Sequence, residues 1–493
     1  MYFLGIDLGS SSIKLSILDG ESNKTVNSVS VPQHEMKIHA PKYGWAEQDP
    51  MQWWAYVKEG IAQLKAQTDM DFQEIKGIGV AYQMHGLVVV DKNLEPLRPS
   101  VIWCDSRAAE IGQQYYESIG AQNCQEQILG SPGNFTASKL KWVQENQPDI
   151  YAKIKYFMLP GDFIATQLTG VAQTSTSGLS EAALWNFKEN RLANEILDAM
   201  GISVDLVPEV VSNFGKQATV DPKIAAELGI SSEAVVSYRA GDQPNNAWSL
   251  NVSNPGEIAT TAGTSAVIYG LSSLDDYDKQ NRINTFLHVN NQNDYKRNGV
   301  MVCINGSGIL YQWLRKLMSA GQAEALDYEV LNELAKLSTP GSKGLRFYPF
   351  GNGVERIFNN KPAFSGVKNL NFNIHDTPDF VRAACEGIVF AMHYGFEIMR
   401  EVGVEGKVVR AGNSNLFLNP VFREIFIHTT NTSLELYDTS GAEGAARGAA
   451  YGLGYYDSVE ETFKGLTCLE KFDPNPELVQ VYKEIYENWK SNI

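Results

Sequence analysis

Leu4-Gly-Ile-Asp-Leu-Gly-Ser-Ser-Ser-Ile-Lys-Leu-Ser-Ile-Leu18 sets one carboxylate, Asp7, and a Gly-Ser turn between two apolar runs. The pattern predicts a strand, a tight turn and a second strand, with Asp7 near the end of the first. Gly9, Ser10, Ser11 and Ser12 offer the backbone N–H groups and small hydroxyls that suit phosphate oxygens. A carboxylate beside them suits Mg²⁺, which keeps several waters and takes only one or two protein ligands. An ordinary hairpin with a polar turn would read the same way. A second such element, Glu257-Ile-Ala-Thr-Thr-Ala-Gly-Thr-Ser-Ala-Val-Ile-Tyr269, carries Gly263 and Thr264 in its turn. Together the two suggest related halves that clamp one phosphate chain.

Working outward, strands and helices alternate along the whole chain, the signature of an α/β protein. Strands are expected at 77–81, 87–91, 234–240, 299–304 and 407–411, and helices at 107–119, 162–168, 308–319, 378–400, 419–430 and from 442. At 493 residues the chain exceeds a single core, and two domains are expected, 1–250 and 251–493. The cut falls at Asn251-Val-Ser-Asn-Pro-Gly256, where turn formers cluster.

Composition narrows the function classes. A net charge of −16 argues against nucleic acid or an anionic membrane surface as partner. No apolar run approaches the ~20 residues needed to span a bilayer. Met1-Tyr-Phe-Leu-Gly-Ile-Asp7 does not read as a signal peptide, so a soluble cytoplasmic protein is expected. The five cysteines are widely spaced and read as reduced, mostly buried thiols. The P-loop, the dinucleotide-binding Gly-x-Gly-x-x-Gly and the protein-kinase signatures are all missing, so any ATP is handled by another design.

Four further segments carry candidate chemistry. In Arg239-Ala-Gly-Asp-Gln243, Asp242 follows a Gly at the end of an apolar strand, where α/β ligand crevices open. A carboxylate there can accept a hydroxyl proton during phosphoryl transfer, or simply cap a helix. In Tyr82-Gln-Met-His-Gly86, the Gln83 amide and the His85 ring could recognise sugar hydroxyls; a structural histidine is the other reading. Trp103 and Asp105 pair an aromatic platform with a hydroxyl acceptor, or else a core residue with a helix cap. Gly44-Trp-Ala-Glu-Gln-Asp-Pro-Met-Gln-Trp-Trp54 reads as structural, with Asp49 capping a helix that starts at Pro50. In the second half, Gly412 and Asn413 end a strand at a turn that would let backbone approach a flat adenine. Gly441-Ala-Glu-Gly-Ala-Ala-Arg-Gly-Ala-Ala450 reads as a helix that packs very closely.

Taken in order from Leu4 to about Leu453, these segments resemble the FGGY family of carbohydrate kinases. The resemblance implies two ribonuclease-H-like (actin-like ATPase) domains with a cleft between them, sugar on the first and nucleotide on the second. It implies ATP and Mg²⁺ as cofactors, Asp242 as catalytic base, and Asp7 holding Mg²⁺ and phosphates with Asp242 nearby. Gly9 to Ser12, Gly263 and Thr264 would contact phosphates, and Gly412 and Asn413 the adenine. Gln83-Met-His-Gly86 is most similar to members acting on D-xylulose, which implies transfer to its 5-hydroxyl, with Met84 and His85 contacting the ketose and Gln83, Trp103 and Asp105 lining the pocket. Other polyols, namely L-ribulose, L-fuculose, L-rhamnulose, gluconate and glycerol, are the alternatives, followed by a silent sugar- or nucleotide-binding protein. A homodimer is common among such relatives. The chain departs from the family pattern at Ala411-Gly412-Asn413, where three glycines are usual, and at Gln243-Pro-Asn-Asn246, where small residues are usual.

Overall fold

The computed structural model describes residues 1–321, 324–361 and 363–493. The first sheet has six strands: β1 (Tyr2–Leu8), β2 (Ile13–Asp19), β3 (Lys24–Val31), β4 (Ile75–Tyr82), β5 (Phe214–Thr219) and β6 (Val235–Gly241), in the order β5-β6-β4-β1-β2-β3. β1 and β2 form the expected hairpin, Leu8 opposite Ile13, and Gly9 N–H closes the turn on Ser12 O at 3.1 Å. β1, β4 and β6 run parallel, so their carboxyl ends, Leu8, Tyr82 and Gly241, lie side by side. Leu4, Ile6, Ile78, Val80 and Val236 are all buried in one core. Against this core lies α1 (Pro50–Gln67), which buries Trp53, Trp54, Val57, Ile61 and Leu64 at helical spacing. Asp49 caps it by accepting the Met51 N–H at 2.9 Å, and Pro50 fills the first turn. Three more helices serve the site: α2 (Thr136–Asn146), α3 (Thr176–Glu181) and α4 (Asp242–Ser249).

The second sheet repeats the plan. β7 (Glu257–Ala262) and β8 (Ala266–Ser272) make a hairpin, with Ala262 opposite Ala266. With β9 (Asn298–Ile304), β10 (Val408–Gly412), β11 (Ser433–Tyr437) and β12 (Cys468–Phe472), the order, inward from an edge strand at Asn284–Leu287, is β9-β8-β7-β10-β11-β12. β10 lies parallel to β7 as β4 lies parallel to β1, so each sheet holds a Gly-Ser/Thr hairpin flanked by a parallel strand. Helices α5 (Gly308–Met318), α6 (Tyr328–Lys336), α7 (Thr377–Glu401) and α8 (Pro420–Thr430) belong to this half. α7 supplies much of its core through Val381, Cys385, Ile388, Val389 and Met392.

The chain forms two compact units, Met1–Ser253 with Phe286–Asn298 and Thr439–Leu466, and Asn254–Thr285 with Gly299–Asp438 and Thr467–Ile493. One cut at residue 250 therefore leaves out two later segments of the first unit. The second of them carries α9 (Gly441–Gly452), and its small residues explain why it lies there. A Cβ on Gly5 would stand 1.8 Å from Ala442 O, and one on Gly79 2.0 Å from Ala445 O. Helix backbone and strand backbone are in direct contact, which any side chain at Gly5 or Gly79 would block. The thiols are free: Cys124 and Cys385 are buried and Cys303 is half-buried, but Cys104 and Cys468 are exposed, against the expectation. Among the described residues no helix is long and apolar enough to cross a membrane.

Candidate active site

Three candidate segments leave the sheet at adjacent strand ends. Asp7 is the next-to-last residue of β1, the Gln83-Met84-His85 turn follows β4, and Asp242 follows β6. Ligands in α/β folds bind outside such carboxyl ends. Asp242 is the first residue of α4, one past the N-cap Gly241. Gln243 Nε2 donates to its carboxylate at 3.2 Å, and the Gln243 and Met84 backbones temper the upward shift of its pKa. Burial, reinforced by the charge of Asp7, pushes the Asp242 carboxyl up to about 7. Burial also raises Asp7, against the opposing pull of Lys14. The two carboxylates therefore resist ionising together. Asp7 sits at the amino end of α9: a Cβ on Gly441 would stand 2.3 Å from its Oδ2. Asn245 Nδ2 donates to Gly441 O at 2.8 Å, which gives the polar Gln243-Pro-Asn-Asn246 segment a local purpose, joining α4 to α9.

His85 is held from two sides. Its φ is 61°, in the left-handed region unfavourable to a side-chain-bearing residue. Lys139 Nζ, on α2 and fully buried, donates to His85 O at 2.7 Å and to Ile102 O at 3.0 Å. Burial lowers this ammonium to about 7, while Asp105 acts in the opposite direction. The ring donates from Nδ1 to Glu181 O at 2.9 Å, since a carbonyl only accepts, and this fixes the tautomer. It also packs on Phe135, centroids 4.3 Å apart.

The phosphate-type turn is similarly tied down. Trp103 Nε1 donates to Ser10 Oγ at 3.3 Å, Gln48 Nε2 donates to Ser10 O at 2.7 Å, and Met36 N–H donates to Ser11 O at 2.8 Å. Gly9, Ser10 and Ser12 are half-buried and Ser11 is exposed. Trp103 is 53% exposed, so it is no core residue; it stands over the Ser10 turn.

Asp105 corrects an expectation. It is fully buried, and its oxygens take the Ala46 N–H at 2.6 Å and the Arg107 N–H and guanidinium at 2.7–2.9 Å. With its lone pairs taken, it buttresses the wall rather than accepting a ligand hydroxyl. Met84 is 4% exposed, and its side chain packs on Gly241, the residue before Asp242. Two site residues escaped the sequence reading besides Lys139. Glu181, at the end of α3, is buried with its Oε2 2.9 Å from where a Gly241 Cβ would stand. Burial first, then the charges of Asp242 and Asp162, hold its carboxyl well above the usual range against the tempering Tyr82 phenol. Gln48 is the other.

In the second unit a cavity of about 630 Å³ opens beside the β7–β8 turn, lined by Gly263, Thr264, Tyr311, Tyr328, Asn332 and Asn415 among others. Gly308 N–H donates to Gly263 O at 2.8 Å, fixing the turn on the start of α5. The Tyr311 and Tyr328 rings stack, 6.0 Å apart at 11°. Asn419 Nδ2 donates to the Tyr311 hydroxyl, which donates to Asn332 Oδ1. Gly412 and Asn413 do not line this cavity: Asn413 N–H is taken by Tyr437 O, and the next turn, from Asn415 to Asn419, forms the wall instead.

Paired sheets with Gly-Ser/Thr hairpins, and carboxylates at the strand ends, define an α/β enzyme that handles phosphate. The N-terminal domain of the FGGY family of carbohydrate kinases matches residues 2–247, and the C-terminal domain of that family matches 258–455. The chain belongs to this family and is an ATP-dependent sugar kinase. A xylulose kinase of Staphylococcus epidermidis is 29% identical, covering 99% of this chain and 95% of that protein. A ligand-bound xylulose kinase from Lactobacillus acidophilus superimposes with TM-score 0.89 at 22% identity, covering 100% of this chain and 97% of the other. A gluconate kinase from the same species gives the same TM-score, identity and coverage, so the fold by itself selects no sugar.

Proposed function

We propose that this kinase transfers the γ-phosphoryl of ATP to the 5-hydroxyl of D-xylulose, giving D-xylulose 5-phosphate and ADP. The observation that carries the reading is the junction of Met84 and Asp242. A ketose gripped by the Gln83-Met84-His85 turn has a carboxylate close by, because the Met84 side chain packs on Gly241, the residue before Asp242. The choice of ketose rests on the full-length relative that is itself a xylulose kinase and on the Gln-Met-His-Gly segment.

In this reading Asp242 accepts the hydroxyl proton as the new O–P bond forms, and the β,γ-bridging oxygen leaves with ADP. His85, oriented by Lys139 and Glu181, holds the sugar through its ring, and Gln83 and Met84 complete the grip. Gly9, Ser10, Ser11 and Ser12 offer N–H and hydroxyl groups to phosphate oxygens, with Trp103 steadying that turn. Gly263 and Thr264 serve the nucleotide end, with adenine in the Tyr311–Tyr328 cavity and Gly412 and Asn413 supporting its wall. Asp7 and Asp242 suit Mg²⁺: two buried carboxylates, with Asp7 raising the proton affinity of Asp242, fit a divalent cation that asks for one or two protein ligands. When bound, Mg²⁺ supplies charge neutralisation on the transferring phosphoryl. A cytoplasmic homodimer belongs to the same proposal.

The test is ADP release from Mg·ATP with D-xylulose, L-ribulose, L-fuculose, L-rhamnulose, gluconate, glycerol and no sugar. D-Xylulose should give the highest kcat/KM. A higher value with another polyol would contradict the choice of ketose, and no stimulation by D-xylulose would contradict the reading of the sugar turn.

A further inference from the structure

The Gly44–Trp54 segment reads as structural in the sequence, yet one of its residues touches both halves of the proposed site. Gln48 is 5% exposed and sits between the sugar turn and the phosphate turn. Its Oε1 accepts from Gln83 Nε2 at 3.2 Å and from the indole Trp53 Nε1 at 3.2 Å. Its Nε2 donates to Ser10 O at 2.7 Å. An indole N–H can only donate and a peptide carbonyl can only accept, so the Gln48 amide has one permitted orientation. Trp53, locked in the core as part of α1, acts as the key that prevents a flip.

The next amide in the chain has the same polarity. Gln83 is 2% exposed; its Nε2 is engaged by Gln48, and its Oε1 is buried without a hydrogen-bond partner among the described residues. A buried acceptor left unpaired is destabilising, and a sugar hydroxyl is a donor of the right chemistry. Accepting that hydroxyl would polarise Gln83, then Gln48, then the Ser10 peptide, because each amide accepts at oxygen and donates at nitrogen in one direction.

We propose that Gln48 is a positioning residue that couples the sugar turn to the phosphate turn through the relay Gln83–Gln48–Ser10. This rests on the assignment of those two turns given above. By linkage, a sugar that fixes Gln83 also fixes the Ser10 peptide, and a nucleotide phosphate seated on that turn returns the same favour to the sugar.

The experiment measures the affinity of a non-hydrolysable Mg·ATP analogue by calorimetry, with and without saturating D-xylulose. Wild type should bind the analogue roughly 5- to 150-fold more tightly when the sugar is present, the usual span of such a coupling. In Gln48→Met, which keeps side-chain length but removes both polar ends, the factor should fall to near one, whatever the affinity of each ligand alone. Persistence of the wild-type factor in that variant overturns the relay, as does wild-type protein that binds both ligands without coupling. Wild type that binds the analogue but no D-xylulose overturns the sugar-turn assignment and the relay with it. If Gln48→Met does not fold, Gln48→Glu carries the same comparison, because it keeps the acceptor for Trp53 and Gln83 while replacing the donor that faces Ser10.

Discussion

Asp242 is in tension between stability and chemistry. Its carboxyl titrates near 7 in the folded protein, against 3.8 when unperturbed. The folded state therefore binds this proton more tightly than the unfolded state, and stability falls as pH rises from about 4 to about 7. Asp242→Asn should melt above wild type at pH 8, with the gap closing towards pH 4; equal melting at pH 8 would mean that the carboxylate is stabilised in the folded state. Because the base works only when ionised, kcat/KM should rise through about pH 7 and level off above it. His85→Ala should raise KM for the sugar about tenfold, the worth of one hydrogen bond at ~1.5 kcal/mol, with the analogue affinity unmoved. Both residues stood out in the sequence because chemistry-bearing side chains beside Gly at strand ends are conspicuous. Glu181, Lys139 and Gln48 did not, because a buried charge or amide looks like any surface residue until its neighbours are known.

At the level of elements, the close seating of α9 on the first sheet depends on residues without side chains at the contact. A methyl on Gly79 meets Ala445 O at 2.0 Å, and that atom is helix backbone, which cannot swing aside. Gly79→Ala should lower stability by roughly 1–3 kcal/mol, the range for overpacking, read as a reduced urea midpoint. Asp49→Ala removes the α1 cap and should cost about 1 kcal/mol. The cap was legible from Asp-Pro alone, as was the small-residue helix. That this helix joins the first sheet was not, since nothing local in Gly441–Gly452 says which strands it will cover.

Across the whole molecule, the two hairpins beginning at β1 and β7 mark a repeated plan that the Gly-Ser/Thr turns betray and the intervening residues conceal. The alternation of apolar runs located many strands and helices, and it missed β3, β5, β11 and β12, whose runs are interrupted by polar and charged residues, as well as the helices α3 and α6. The nucleotide cavity was misplaced for a different reason. Tyr311, Tyr328, Asn332 and Asn415 come from separate elements, and only their meeting makes a site. Phosphoryl transfer to D-xylulose depends most on Asp242 as base, and the steady-state turnover of Asp242→Asn with D-xylulose and Mg·ATP tests this most directly. The variant should fold and its kcat should fall by at least ~10²–10⁴, the range of general-base catalysis. A folded variant that turns over D-xylulose at a rate near wild type would contradict it.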